Sequence, residues 1–136
     1  YDNDIQNLNY KYDNDMTTSL LEINLMERWF FMYFPVSALL IEFMILSIVN
    51  REDSYGYEIS QTIKLVADIK ESTLYPILKK LEKAGYVTTY SAEYQGRKRK
   101  YYSITEAGKT QMAYLQGEWK SYRDTIDNII EWRKKE

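Results

Sequence analysis

The chain has 136 residues, 20 acidic and 18 basic side chains for a net charge of −2, and neither cysteine nor histidine. The missing thiols exclude a disulfide framework and a thiolate metal site, which fits a reducing cytoplasm, and the missing imidazoles remove the commonest general base and metal ligand. The remaining carboxylates are scattered and mostly neighbour lysines, as on a solvated helix face, so no catalytic residue, metal or cofactor is expected; the length suits one domain whose modest core a partner subunit completes.

The first fifteen residues are rich in Asn, Asp and Tyr and read as a flexible or loosely docked arm. Over residues 17–29 the spacing of Leu21, Leu25 and Trp29 predicts one helical face, with Thr17 or Thr18 as its cap. Residues 1–31 hold six acids against two bases, a local −4, so residues 32–136 carry +2 against the chain's −2. This front segment is either an additional dimer-packing helix or an extension of another origin. Residues 29–49 then carry a single charge, Glu42, over a length that would span a membrane. Pro35 breaks that run, and an ionised carboxylate near mid-bilayer costs about 2.5 kcal/mol, so no membrane association is expected. The run divides better at Pro35-Val36-Ser37, where Ser37 caps a buried helix over residues 38–50.

Residues 51–54 read as a polar turn. Residues 55–66 follow as a helix with Ile59, Ile63 and Val66 on one face, the supporting helix of a helix-turn-helix, and 67–70 form the connecting turn. Packing beneath the next helix is open for Tyr55 and preferred for Tyr57. In that next helix Leu74, Ile77, Leu78 and Leu81 fall at i, i+3, i+4 and i+7, one apolar stripe. Pro76 has no N–H to donate and suits a first turn, so the helix is expected to start near Ser72 or Thr73, capped by either hydroxyl, and to end at Gly85. Its other face carries Ser72, Thr73, Tyr75, Lys79, Lys80 and Lys83. Hydroxyls and an aromatic edge near the N-terminal end suit base edges, and the lysines behind them suit phosphates. Taken alone, such a face also describes an ordinary solvated helix.

The following residues decide between the two. Residues 86–94 and 100–105 are rich in β-branched and aromatic side chains, and Gln95-Gly96-Arg97-Lys98-Arg99 between them reads as a turn with a basic tip. From Gln95 to Tyr101 there are four cations and no carboxylate. A short helix leading into a hairpin with a basic tip is the winged-helix arrangement, in which the helix enters the major groove and the wing meets the backbone or the minor groove. Thr105 then caps the last helix. Met112, Leu115, Trp119, Tyr122, Ile126 and Ile129 are spaced 3, 4, 3, 4, 3, an a/d seam. From 105 to 132 that helix would run about 42 Å, too long for so small a domain to cover, so the seam is expected to be a dimer interface. Gly108 and Gly117 weaken it by about 1 kcal/mol each relative to Ala; Gly117 marks, alternatively, a close helix approach or a kink.

Three runs carry a family resemblance: Tyr55-Gly56-Tyr57-Glu58-Ile59, the helix from Ser72 through Tyr75-Pro76 to Gly85, and Gly96-Arg97-Lys98-Arg99-Lys100-Tyr101-Tyr102-Ser103-Ile104-Thr105. In order and spacing they resemble the PadR family of bacterial transcriptional regulators, over roughly residues 34–130. The resemblance implies a dimeric winged-helix repressor of the short form, with a single C-terminal dimerisation helix. It also implies an effector site, because multidrug-sensing relatives stack planar aromatic ligands between paired tryptophans at a similar position of this helix. Here that position is Trp119, with Tyr122 beside it and Glu118 and Asp124 near enough to favour planar cationic compounds. An ordinary packed dimer-core tryptophan is the other reading of Trp119.

The expected fold is mainly α with a small β-hairpin: an N-terminal extension over 1–31, a winged helix-turn-helix DNA-binding domain over 32–104 and a C-terminal dimerisation helix over 105–136. The expected function is a cytoplasmic homodimeric repressor. It would bind a pseudo-palindromic operator in double-stranded DNA through Ser72, Thr73, Tyr75, Lys79, Lys80, Arg97, Lys98 and Lys100, and release it on binding a planar aromatic effector. The alternative is a winged-helix protein-interaction module without regulatory DNA binding.

Overall fold

Residues 34–132 are described by a computed structural model, in which Val36–Leu65 and residues 69–132 belong to one compact unit. The arm and helix expected over 1–31 lie outside the described residues. Helix α1 (Ala38–Arg51) starts as expected, with Ser37 in extended backbone and its Oγ accepting from the Leu40 N–H at 3.2 Å. One face of α1 is buried and carries Ile41, Glu42, Ile45, Leu46 and Val49. Among the described residues no helix is long and apolar enough to cross a membrane.

The expected polar turn after α1 instead contains a strand, β1 (Ser54–Tyr55), with Ser54 fully buried and its hydroxyl donating to Glu58 Oε1 at 3.0 Å. Two residues are too few to show a period-2 pattern, so β1 exists because a later strand supplies its partner. Helix α2 (Gly56–Ile63) buries Ile59 and Ile63. It is shorter than the expected 55–66, since the Leu65 N–H turns back onto the Thr62 carbonyl at 3.2 Å.

Helix α3 (Glu71–Lys83) buries Leu74, Leu78 and Leu81. It begins before the expected Ser72 or Thr73: Lys70 is the N-cap, without a side-chain cap bond, and its carbonyl accepts from the Thr73 and Leu74 N–H groups at 2.9 and 3.0 Å. Pro76 therefore sits in the second turn, where it leaves the Ser72 carbonyl without its helical donor. Ser72 is exposed, so water can take that place. The C-terminal end is as expected, with Gly85 left-handed (φ +80°), its N–H on Glu82 O and the Tyr86 N–H on Leu81 O, both at 3.0 Å. These two bonds form a Schellman closure.

Strands β2 (Val87–Tyr94) and β3 (Arg97–Ile104) pair antiparallel from Val87↔Ile104 to Tyr94↔Arg97, and β1 joins the other edge of β3 through Ser54↔Tyr102 and Tyr55↔Tyr101. The sheet order is β1-β3-β2, three strands where a two-stranded hairpin was expected. The turn is only Gln95-Gly96, both left-handed (φ 50° and 77°), the geometry that matches strand twist in a two-residue hairpin. Helix α4 (Glu106–Ile130) has 25 residues, about 37 Å of helix. Thr105 caps it: its Oγ1 accepts from the Gly108 N–H at 3.0 Å and donates to Gly85 O at 2.6 Å, so one hydroxyl ties the end of α3 to the start of α4. The core is built from Ile45, Leu46, Val49, Ile59, Ile63, Leu74, Leu78, Leu81 and Val87, each contributing roughly 1.5–3 kcal/mol by burial. The architecture is a winged helix, mainly α with one small antiparallel sheet and a long C-terminal helix.

Candidate nucleic-acid interface

With Leu74, Leu78 and Leu81 turned to the core, 100° per residue puts Ser72, Lys79 and Lys83 at the centre of the outer face of α3. Thr73 and Lys80 lie on one flank, Tyr75 and Glu82 on the other. Ser72, Thr73, Tyr75, Lys79, Lys80 and Lys83 are all exposed, so the helix presents the side chains expected of it on one surface. Tyr75 has a second contact. A Cβ built on Gly56 would meet its Cε1 and Oη at 3.0 Å, so the ring rests over the start of α2. Gly56 is thus what lies against α3, through Tyr75, and Tyr57, expected there, is 58% exposed. α2 begins at Gly56, where the absence of a side chain lets Tyr75 approach. A Gly between two tyrosines just ahead of the helical pattern was the available signal.

The cations of this surface divide into two groups. Lys80 Nζ lies 2.6 Å from Glu42 Oε1, with side-chain exposures of 70% and 9% respectively. The hydrogen bond and charge of Glu42 hold the Lys80 ammonium above its usual pKa. Lys100 Nζ lies 3.9 Å from Glu82 Oε2, an oxygen that is buried without a hydrogen-bond partner, and 5.5 Å from the centre of the Tyr102 ring. Two lysines expected on phosphates are therefore placed beside carboxylates. Lys79, Lys83, Arg97 and Lys98 are exposed and, among the described residues, pair with no carboxylate.

The basic run lies within β3 and not at a loop tip, because the turn closes in two residues. Alternation then separates it: Lys98, Lys100 and the buried Tyr102 share the core side, while Arg97, Arg99 and Tyr101 share the outer side. Arg99, expected at the basic tip of the turn, is instead packed between two rings, its guanidinium 4.3 Å from the centres of both Tyr55 and Tyr94. Tyr101 stacks on Tyr90 at 5.5 Å and meets the edge of Tyr55 at 5.7 Å. The Tyr90 hydroxyl donates to Asp53 Oδ2 at 2.6 Å, a bond that pushes its pKa above the usual tyrosine value. This ladder joins β1 to the hairpin across the outer face of the sheet.

On α4, Leu115 is buried within its own chain, Met112, Trp119 and Ile126 are half-buried, and Tyr122 and Ile129 are 62% and 67% exposed. The rings of Trp119 and Tyr122 lie 6.2 Å apart and tilted by 39°.

The model of the family described as "Transcriptional regulator PadR-like family" matches residues 45–114. The crystal structure of smu.1704 from Streptococcus mutans UA159 is 65% identical with a TM-score of 0.73, covering 77% of this chain and 99% of that one. A PadR family transcription regulator from Clostridium difficile R20291 is 30% identical with a TM-score of 0.62, over 66% of this chain and 97% of its own. Bacillus subtilis PadR, solved in complex with operator DNA, is 26% identical with a TM-score of 0.52, over 56% of this chain and 46% of its own.

Proposed function

The chain belongs to the PadR-like family of transcriptional regulators, and from that premise we propose that it is a homodimeric repressor that binds a pseudo-palindromic operator through α3 and the wing. One observation carries the reading: Ser72, Thr73, Lys79 and Lys83 are exposed together on the outer face of α3, with the exposed Arg97 and Lys98 on the hairpin that follows. Hydroxyls near the helix start serve base edges, and the unpaired cations serve phosphates. The operator complex of Bacillus subtilis PadR supports DNA as the ligand.

Residues 32–104 are then the DNA-binding part and 105–136, which include α4, the dimerisation part. The exposed Tyr122 and Ile129 support this, being large apolar side chains left open on α4 in the single chain. Two α3 helices related by a twofold axis would enter successive major grooves about 34 Å apart. A planar aromatic effector at Trp119 and Tyr122 would shift that separation. Titrating the protein onto a random duplex, and onto sequences selected from a random library, tests the reading. Salt-dependent binding to both, tighter for the selected sequences and weakened by a planar aromatic compound, is the expected result. Binding that ignores salt, or that never prefers a selected sequence, would refute DNA recognition, and binding indifferent to a panel of such compounds would remove the effector.

A further inference from the structure

Glu42 is a carboxylate where apolar side chains prevail. It lies on the buried face of α1 with Ile41, Ile45 and Leu46, and 9% of its side chain is exposed. A buried charge is costly unless it is paired, and Lys80 Nζ at 2.6 Å is its partner. Lys80 itself stands on the flank of the outer face of α3 and is 70% open to solvent. An incoming phosphate meets there an ammonium already gripped from behind, with the Glu42 charge repelling it. The residue before Lys80, Lys79, about 100° around the helix, is exposed and, among the described residues, pairs with no carboxylate.

We propose that Glu42 is a positioning residue of the DNA-binding surface, holding Lys80 back so that the protein's phosphate footprint is one cation smaller than its sequence suggests. The inference rests on the DNA-binding reading above. Glu42 reaches no base or phosphate itself; it acts through Lys80. Glu82 stands in a similar but looser relation to Lys100, at 3.9 Å. The device limits sequence-independent retention on DNA, which is supplied almost wholly by phosphate contacts.

The test is Glu42→Gln in the full chain, which keeps the shape and an acceptor oxygen for Lys80 while removing the charge. On a random duplex the variant should bind more tightly at low salt. Its slope of log K against log salt should steepen by about 0.9, equivalent to roughly 3.5-fold more affinity lost between about 50 and 200 mM salt. Adding Lys80→Ala to Glu42→Gln should return the slope to that of the wild type. Without DNA, an NMR titration should find the Lys80 ammonium above its usual pKa in the wild type and near it in Glu42→Gln. A wild-type slope in Glu42→Gln, a gain that survives Lys80→Ala, or the same Lys80 titration in both proteins would overturn the inference. A wild type without salt-dependent binding would instead defeat the DNA reading and this inference with it, and the NMR comparison would show whether the pair itself exists.

Discussion

Arg97 and Arg99 are two residues apart on the same face of β3, yet their surroundings give them different work. Arg99 has an aromatic ring on each side, at 4.3 Å, and its guanidinium is part of the sheet's outer packing. Arg97 and its neighbour Lys98 are exposed and stand beside the two-residue turn. Replacing Arg97 and Lys98 together with Ala should therefore weaken all duplexes alike and lower the salt slope by roughly one per lost contact, measured by anisotropy on random and selected DNA. A loss confined to the selected sequence would give these side chains a role in base reading. Lys80 and Lys100 show the same principle in another form: a lysine's identity tells little about its availability until the neighbouring carboxylate is known.

At the scale of elements, the start of α4 shows where packing overrules propensity. By propensity alone Gly108→Ala gains about 1 kcal/mol. An added Cβ at Gly108, however, would lie 2.8 Å from Ile104 Cγ1 and closer still to the Tyr86 carbonyl, so α4 would have to lift from the end of β3. Gly108→Ala should then destabilise the fold, by about 1–3 kcal/mol in denaturant unfolding, as overpacking does; a stabilised variant would show that the close approach is not kept in solution. The sign of that one measurement separates the two effects. Features governed by near neighbours were legible in the sequence: the Ser37 and Thr105 caps, the Gly85 closure and the leucine stripe of α3. Features that depend on distant residues were not. β1 exists only through its pairing with Tyr101 and Tyr102, Arg99 is claimed by Tyr55, and Lys80 is claimed by Glu42, 38 residues away. The start of α3 lies earlier than Pro76 implies, because the Lys70 carbonyl takes the Thr73 and Leu74 N–H groups and the proline is accommodated in the second turn.

For the whole molecule, the question is what covers the distal half of α4. Ile126 is half-buried and Ile129 is 67% exposed, so the single chain leaves part of this stripe open. Burying each side chain against a partner would contribute roughly 1.5–3 kcal/mol, counted twice by symmetry. Changing Ile126 and Ile129 to Asp should yield a monomer with operator binding lost, as read by sedimentation and titration. A double variant that still sediments as a dimer would move the interface away from this helix. Within the chain the Arg99 packing joins the hairpin to β1, and β1 runs directly into α2, so wing and helix-turn-helix form one stiff lever. A stiff lever passes misfit on instead of absorbing it. On the DNA reading, a duplex that does not meet both α3 and the wing must bend or narrow to do so, at an energy set by its own base stacking. Sites that present the same bases to the protein would then differ in affinity through the flexibility of steps no side chain touches.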